Sequence, residues 1–139
     1  MSELIIIGAT VAVILAAGAI VFFIRRRPRN LKMESYTQQW RDLQKLCRSK
    51  STWKQAVIEA DDLLDKALKK SGVRGKSMGE RLVKIQRNLS NNDGVWYGHK
   101  LRRQLDTEPD KTLREAEVKK ALVGIRQALI DLGALPNAK

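Results

Sequence analysis

The sequence predicts an all-α protein, with an N-terminal transmembrane helix followed by a five-helix antiparallel bundle. Residues 4–24 form an apolar run without a charge, and over the rest of the chain the apolar residues recur at helical spacing. No stretch alternates between apolar and polar residues for long enough to predict a sheet. The helices are separated by short turns, which favours antiparallel packing.

The apolar run is long enough to span a bilayer. Its twenty-one residues would extend about 30 Å as an α-helix, which is the thickness of the hydrocarbon core. No Lys or Arg precedes the run, whereas a cleaved signal peptide carries its basic region there. We therefore expect residues 1–24 to be an uncleaved membrane anchor.

Basic residues directly after the run predict its orientation. They are Arg25, Arg26, Arg27, Arg29 and Lys32. Basic flanks stay on the cytoplasmic side of the plasma membrane, so the N-terminus is expected outside and the remaining chain in the cytoplasm. Residues 25–33 would form a tether whose cations contact anionic lipid headgroups, at about 1 kcal/mol for each cation.

The charge of the chain predicts an anionic partner. The formal net charge is +12, and leaving out Glu3, the only charge before residue 25, puts +13 on residues 25–139. Such an excess is typical of proteins that bind lipid, nucleic acid or an acidic protein, and it does not choose among them. The single Cys47 can form no internal disulfide, which agrees with a cytoplasmic location.

The first three helices of the bundle are predicted from spacing and helix-end signals. The bundle is expected at residues 34–135, with a tail at 136–139. The first helix should cover about 34–48, and the second should run from about Thr52 to just before Gly72, because glycine adopts the left-handed conformation that ends many helices. Ser77 and Glu80 have the capping-box spacing, which predicts the start of the third helix.

The last two helices are predicted in the same way. The turn at 91–94 precedes the fourth helix, which carries Trp96 and Leu101. Thr112 and Glu115 have the spacing of a second capping box, which predicts the start of the fifth helix. Gly133 should end it.

Two local patterns suggest ligand chemistry that the surrounding sequence does not support. Gly75-Lys76-Ser77 resembles the end of a phosphate-binding P-loop, but Lys70 stands where the motif needs its first glycine, and a helix rather than a strand precedes it. The carboxylates Glu59, Asp61, Asp62 and Asp65 could bind a divalent metal. Asp62 and Asp65, however, each precede a Lys by four residues, which is typical of ion pairs on an exposed helix face. We predict a turn, a solvated face, and no cofactor or metal.

Basic residues on the third and fourth helices of the bundle form a candidate nucleic-acid surface. They are Arg81, Lys84, Arg87, Lys100, Arg102 and Arg103. Aromatic side chains beside such cations can stack on the bases of single-stranded RNA or DNA. Trp40 and Trp53 fall on apolar stripes and are expected in the core, which leaves Trp96 and Tyr97 as the aromatic candidates.

The segment His99-Lys100-Leu101-Arg102-Arg103-Gln104-Leu105-Asp106-Thr107-Glu108 resembles the motif of the HEPN family. In that family an Arg and a polar residue late in a helix are followed a few residues later by a His. Many HEPN proteins are metal-independent RNases, toxins or RNA-processing modules, and they often work as dimers. The resemblance implies that Arg102 matches the Arg that engages the RNA phosphate.

The motif is incomplete in this chain. Arg103 stands where the polar residue, commonly Asn, is expected, and none of residues 107–109, where the His should fall, is a His. The single His99 lies before Arg102, so a general acid or base at the motif position is missing. The resemblance therefore implies a HEPN-like fold that has lost cleavage.

A second resemblance covers most of residues 34–135. The stretches Trp53-Lys54-Gln55-Ala56, Ser77-Met78-Gly79-Glu80-Arg81-Leu82 and His99-Lys100-Leu101-Arg102 are similar to those of a family of uncharacterised small bacterial membrane proteins with one anchor. This resemblance implies a bacterial cell membrane as the location.

These observations predict a membrane-anchored interaction module that is not an enzyme and that recruits a protein partner or holds a complex at the membrane. The alternative is a membrane-tethered RNA-binding domain, and an active RNase that uses Arg102 and His99 ranks third. Self-association is left open, because Gly8, Ala12 and Ala16 form a stripe of small residues that lets two helices approach closely.

Overall fold

The computed structural model describes residues 2–26 and 31–137, and every regular element in these ranges is helical. The six α-helices are α1 (Ser2–Arg26), α2 (Met33–Lys45), α3 (Trp53–Lys70), α4 (Met78–Ile85), α5 (Asn92–Thr107) and α6 (Glu115–Asp131). Short 3₁₀ turns follow α2 at Leu46–Arg48, precede α3 at Lys50–Thr52 and follow α4 at Gln86–Asn88. The predicted all-α bundle is confirmed, and α2–α6 form it.

The predicted transmembrane helix is wrong. Within the described residues, no helix has both the length and the apolar character that crossing a membrane requires. The anchor at 1–24, the single-pass topology and the plasma-membrane location that depended on it are corrected accordingly.

The predicted contact of the basic residues with lipid headgroups stays a prediction. The side chains of Arg25, Arg26, Arg27 and Arg29 lie outside the described residues. Lys32 directly precedes α2, and it is exposed.

The bundle is held by two contiguous apolar clusters. The larger joins α2, α3, α4 and the C-terminal half of α6, and its fully buried side chains include Leu64, Leu68, Leu82 and Leu129. The smaller joins the first half of α3 to α5 and the start of α6, around Val57, Leu101, Leu105, Leu113 and Val118. α3 contributes to both clusters because apolar side chains lie on more than one of its faces, so it forms the centre of the bundle.

α5 and α6 pack unusually closely because glycines lie where they meet. A Cβ atom on Gly124 of α6 would overlap the backbone of Gly94 in α5. A Cβ on Gly98 would lie 2.9 Å from Ile125 Cδ1, which is closer than real Cβ atoms approach. The two helices therefore touch backbone to backbone at this point.

Most of the predicted helix ends are confirmed. Gly72 after α3 and Gly133 after α6 have φ values of 84° and 80°, which is the left-handed conformation expected there. Ser77 caps α4, since its Oγ accepts a hydrogen bond from Glu80 N at 3.2 Å. The second capping box is wrong, because α6 begins at Glu115 with Arg114 at its N-cap position rather than Thr112.

Candidate functional site

A buried ion-pair cluster joins α3 to α5, and Asp61 and His99 form its centre. Asp61 and His99 are 4% and 8% exposed. His99 Nδ1 lies 3.2 Å from Asp61 Oδ1 and 3.3 Å from Oδ2. Asp61 is placed there because it follows Val57 by four residues and precedes Leu64 by three, on the buried side of α3.

Arg102 occupies the outer side of this cluster. Its guanidinium donates hydrogen bonds to Asp62 at 2.6 Å and to Asp106 at 3.1 Å, and it also donates to the carbonyl oxygen of Ile58 at 3.3 Å. Asp61 Oδ2 is 3.6 Å from Arg102 Nη1. Three carboxylates and one carbonyl therefore hold a guanidinium whose side chain is only 20% exposed.

The electrostatics of the cluster follow from its burial. Removal from water raises the pKa of the Asp61 carboxyl above its ordinary value, although the hydrogen bond from His99 and the charge of Arg102 act in the opposite direction. Burial alone would lower the pKa of Arg102, but its hydrogen bonds and ion pairs with Asp62 and Asp106 outweigh burial and raise it. Arg102 is therefore a permanent cation, which balances part of the carboxylate charge around it.

The cluster contains groups that can do acid–base chemistry, but they are engaged with one another. A carboxylate that orients an imidazole is a common part of acid–base sites. Here the edge of Trp96 packs against the imidazole, with ring centroids 6.0 Å apart and an interplanar angle of 71°. A substrate would need to reach a ring that is enclosed by Asp61, Trp96 and the rest of the α3–α5 contact, so the geometry favours a structural role.

The predicted nucleic-acid residues divide into two groups. Arg81 is 6% exposed, and it donates hydrogen bonds to Asp65 and to the carbonyl oxygen of Gly75, both at 2.7 Å. Arg102 is held in the cluster described above. The remaining four predicted residues, Lys84, Arg87, Lys100 and Arg103, are exposed. Arg81 and Arg102 thus lie in internal networks, and the other four side chains face solvent.

Aromatic residues lie largely where the sequence analysis placed them. Trp40 is buried, and Trp53 is partly buried and donates a hydrogen bond from Nε1 to the carbonyl oxygen of Cys47 at 2.9 Å. Trp96 and Tyr97 are both partly buried. Lys120 of α6 lies 4.4 Å from the centre of the Tyr97 ring, which is a cation–π contact between α6 and α5.

The acidic group of α3 is only partly a solvated face. Asp65 and Lys69 form the predicted ion pair at 3.3 Å. Asp62, however, pairs with Arg102 instead of Lys66, and Asp61 is buried rather than solvated. Sequence spacing reports only neighbours on the same helix, so it could not find contacts that come from α5. Among the described residues, no group of three or more His, Cys, Asp or Glu side chains is arranged to hold a metal ion.

The Gly75-Lys76-Ser77 segment forms the predicted turn rather than a phosphate loop. The backbone N–H of Lys76 donates to Glu80 Oε2 at 2.7 Å, and the carbonyl oxygen of Gly75 accepts from Arg81. A P-loop holds its phosphate with backbone N–H groups. The N–H of Lys76 already bonds within the chain, so the segment supports the start of α4.

A groove between α2 and α3 is a surface feature that the sequence analysis missed. Its volume is about 350 Å³, and its lining residues are Gln39, Asp42, Leu43, Glu59, Asp62, Leu63 and Lys66. The sequence did contain one signal for the groove, because two neighbouring helices each have a polar side, with Asp42 on α2 and Glu59 and Asp62 on α3. The relative placement of the two helices was needed to show that these carboxylates share one groove.

Comparison with known proteins leaves the family open. No protein-family model matches the sequence, and neither a similar curated protein nor a similar solved structure was found.

Proposed function

We propose that this chain is a non-catalytic interaction module whose exposed apolar helix α1 docks on a protein partner. One observation carries the proposal: large apolar side chains of α1 are 50% to 72% exposed, namely Ile5, Ile6, Ile7, Val11, Val13, Ile14 and Leu15. In the bundle, the comparably exposed large apolar residues are single and scattered, at Met33, Val83 and Val123. Contiguous apolar surface of this kind marks interaction sites in proteins.

The buried cluster supports the non-catalytic part of the proposal. His99 and Arg102 are the residues that would carry RNA cleavage. Asp61 engages His99 through Nδ1, and Asp62 and Asp106 engage Arg102 through Nη1 and Nε. Their loss is therefore expected to lower the stability of the bundle, rather than to remove an activity.

Site-specific photo-crosslinking tests the role of α1. A photo-reactive residue replaces Ile14 in the full chain, and a matched variant carries it at Lys119, an exposed position of α6. In living cells, position 14 should give a discrete protein adduct that position 119 does not give. If position 14 yields no discrete protein adduct, the proposal is wrong.

RNA binding is the second candidate, and the exposed cations favour it. Lys84, Arg87, Lys100 and Arg103 face solvent, and the Tyr97–Lys120 contact offers an aromatic ring close to positive charge. Labelled single-stranded RNA would be titrated with the full chain across a salt series, and the RNA would be checked on a denaturing gel. Phosphate binding requires that log K falls steeply with log salt while the RNA stays intact. Replacing both Lys100 and Arg103 by Gln should reduce this slope by about 1.4 if both contact phosphates, at about 0.7 for each contact with a single strand.

A further inference from the structure

The charged residues that line the groove between α2 and α3 are mainly acidic, in a chain that is basic as a whole. Three carboxylates and one ammonium among its lining residues give a formal charge of −2, in a chain whose net charge is +12. Its floor is apolar, since Leu43 and Leu63 line it and are 2% and 6% exposed. The groove therefore combines an acidic rim with an apolar base.

The rim carboxylates remain open to a ligand. The side chains of Asp42 and Asp62 are 58% and 61% exposed, and Glu59 is exposed as well. Asp42 accepts from Gln38 at 3.1 Å and lies 3.5 Å from Lys45 Nζ, while Glu59 accepts from Gln55 at 2.9 Å. An ionised carboxylate offers about four acceptor positions, so these contacts leave capacity for additional donors.

Groups at the edges of the groove indicate what it would accept. At Asp62 the rim already holds a guanidinium, that of Arg102, at 2.6 Å. On the other side the Lys66 ammonium lies 5.8 Å from the centre of the Tyr36 ring, so a cation and an aromatic ring lie close together there. The Tyr36 hydroxyl is buried and has no hydrogen-bond partner among the described residues.

We propose that this groove docks a basic segment of a protein partner. An Arg or Lys side chain of the segment lies between Asp42, Glu59 and Asp62, and an adjacent apolar side chain packs on Leu43 and Leu63. Carboxylates bind cationic groups rather than phosphates, so the groove and the exposed cations of α4 and α5 would serve different partners. The inference rests on the proposed function, because it names the chemistry of a partner for the same interaction module.

Fluorescence anisotropy of a labelled octapeptide of alternating Arg and Leu, titrated with the full chain at low salt, tests the groove. Asp42→Asn combined with Glu59→Gln should weaken binding about tenfold, because a partly exposed ion pair contributes up to about fivefold. Lys66→Met removes a competing cation, so it should strengthen binding about threefold. Glu108→Gln combined with Glu115→Gln changes the net charge equally at exposed positions outside the groove, and it should leave binding unchanged.

Two results would overturn the groove proposal. One is equal loss of binding in the groove pair and in the control pair, and the other is equal binding of a peptide in which Glu replaces Arg. Circular dichroism establishes that each variant is folded before its affinity is compared. The crosslinking at position 14 reports on α1 alone, so a positive crosslink with a failed peptide titration rejects the groove and leaves the proposed function standing.

Discussion

Asp61 and His99 show how single residues in this chain acquire their role from the fold. Both lie on buried faces of their helices, and each supplies the other's hydrogen-bond partner, as buried polar groups require. The pair is separated by 38 positions in the sequence. A signal was present, because Asp61 interrupts the apolar stripe of α3, yet nothing in the sequence indicated which residue of another helix would face it.

The raised pKa of Asp61 predicts a specific pH dependence of stability. Its pKa is higher in the folded than in the unfolded chain, so its contribution to stability is full below the ordinary value of 3.8 and is lost as pH rises through the folded-state value. Asp61→Asn cannot titrate. The free energy of unfolding of the wild type, relative to this variant, should therefore fall as pH rises from below 3.8 toward neutrality, as measured by urea unfolding.

A variant with an exposed substitution provides the control for this measurement. Glu59→Gln removes one carboxylate from the solvent-facing side of the same helix. The raised pKa would be contradicted if the difference in unfolding free energy between wild type and Asp61→Asn stayed constant with pH. It would also be contradicted if the wild type became relatively more stable as pH rises.

Arg81 is expected to be a structural residue rather than a phosphate contact. Arg81→Met would leave the carbonyl oxygen of Gly75 without its donor and Asp65 with only its contact to Lys69, which should cost about 2–3 kcal/mol of unfolding free energy. Lys84→Met, three residues later on the exposed face of α4, should change stability by less than about 0.5 kcal/mol. Chemical unfolding of both variants makes the comparison, and equal stabilities would show that the Arg81 network contributes little.

At the scale of helices, local sequence signals succeeded where the structure depends on local chemistry. Gly72 and Gly133 end their helices because a left-handed residue is needed there, and Ser77 caps α4 through its own side chain. Thr112 failed as a cap. The backbone N–H groups of Glu117 and Val118 bond instead to the carbonyl oxygen of Arg114, so the first turn of α6 starts later. Arg114 is not a favoured cap residue and makes no side-chain cap hydrogen bond, so the sequence did not indicate this start.

A glycine in the contact between α5 and α6 and a glycine outside it should respond to alanine substitution with opposite changes in stability. Gly124→Ala should destabilise the protein by about 2–3 kcal/mol, because the new Cβ overlaps the backbone of Gly94 and the helices must separate. Gly79→Ala in α4 should instead stabilise it by about 0.5 kcal/mol, because the nearest atom is 3.8 Å away and alanine favours helix. Thermal unfolding of both variants tests the pair, and a neutral Gly124→Ala would contradict the close contact.

At the scale of the whole molecule, α1 and the bundle make separate contributions. Among the residues whose side chains are described, those of both apolar clusters lie at position 31 or later. Residues 31–139 should therefore unfold cooperatively on their own, with a midpoint within about 2 °C of that of the full chain. Differential scanning calorimetry on both proteins makes the comparison, and loss of a cooperative transition would show that α1 supports the bundle.

The distribution of charge was only partly predictable from composition. The net charge of +12 correctly indicated many exposed cations, but it gave no hint of an acidic groove. The number of charged residues also did not reveal that Arg81 and Arg102 are neutralised by carboxylates within the chain, because such a number does not distinguish paired charges from free ones. The helical pattern predicted the bundle from short-range information, whereas the cluster and the groove depend on contacts between helices.

The meeting of Gly94 and Gly124 also limits how this chain can evolve. The atoms that would clash with a side chain at position 124 belong to the backbone of Gly94, so no replacement at position 94 could make room for it. A second mutation at position 94 therefore cannot compensate for a side chain at position 124. A substitution at 124 would require the two helices to pack in a different arrangement. Descendants that keep this arrangement should carry glycine at 124, while position 79 should be free to vary.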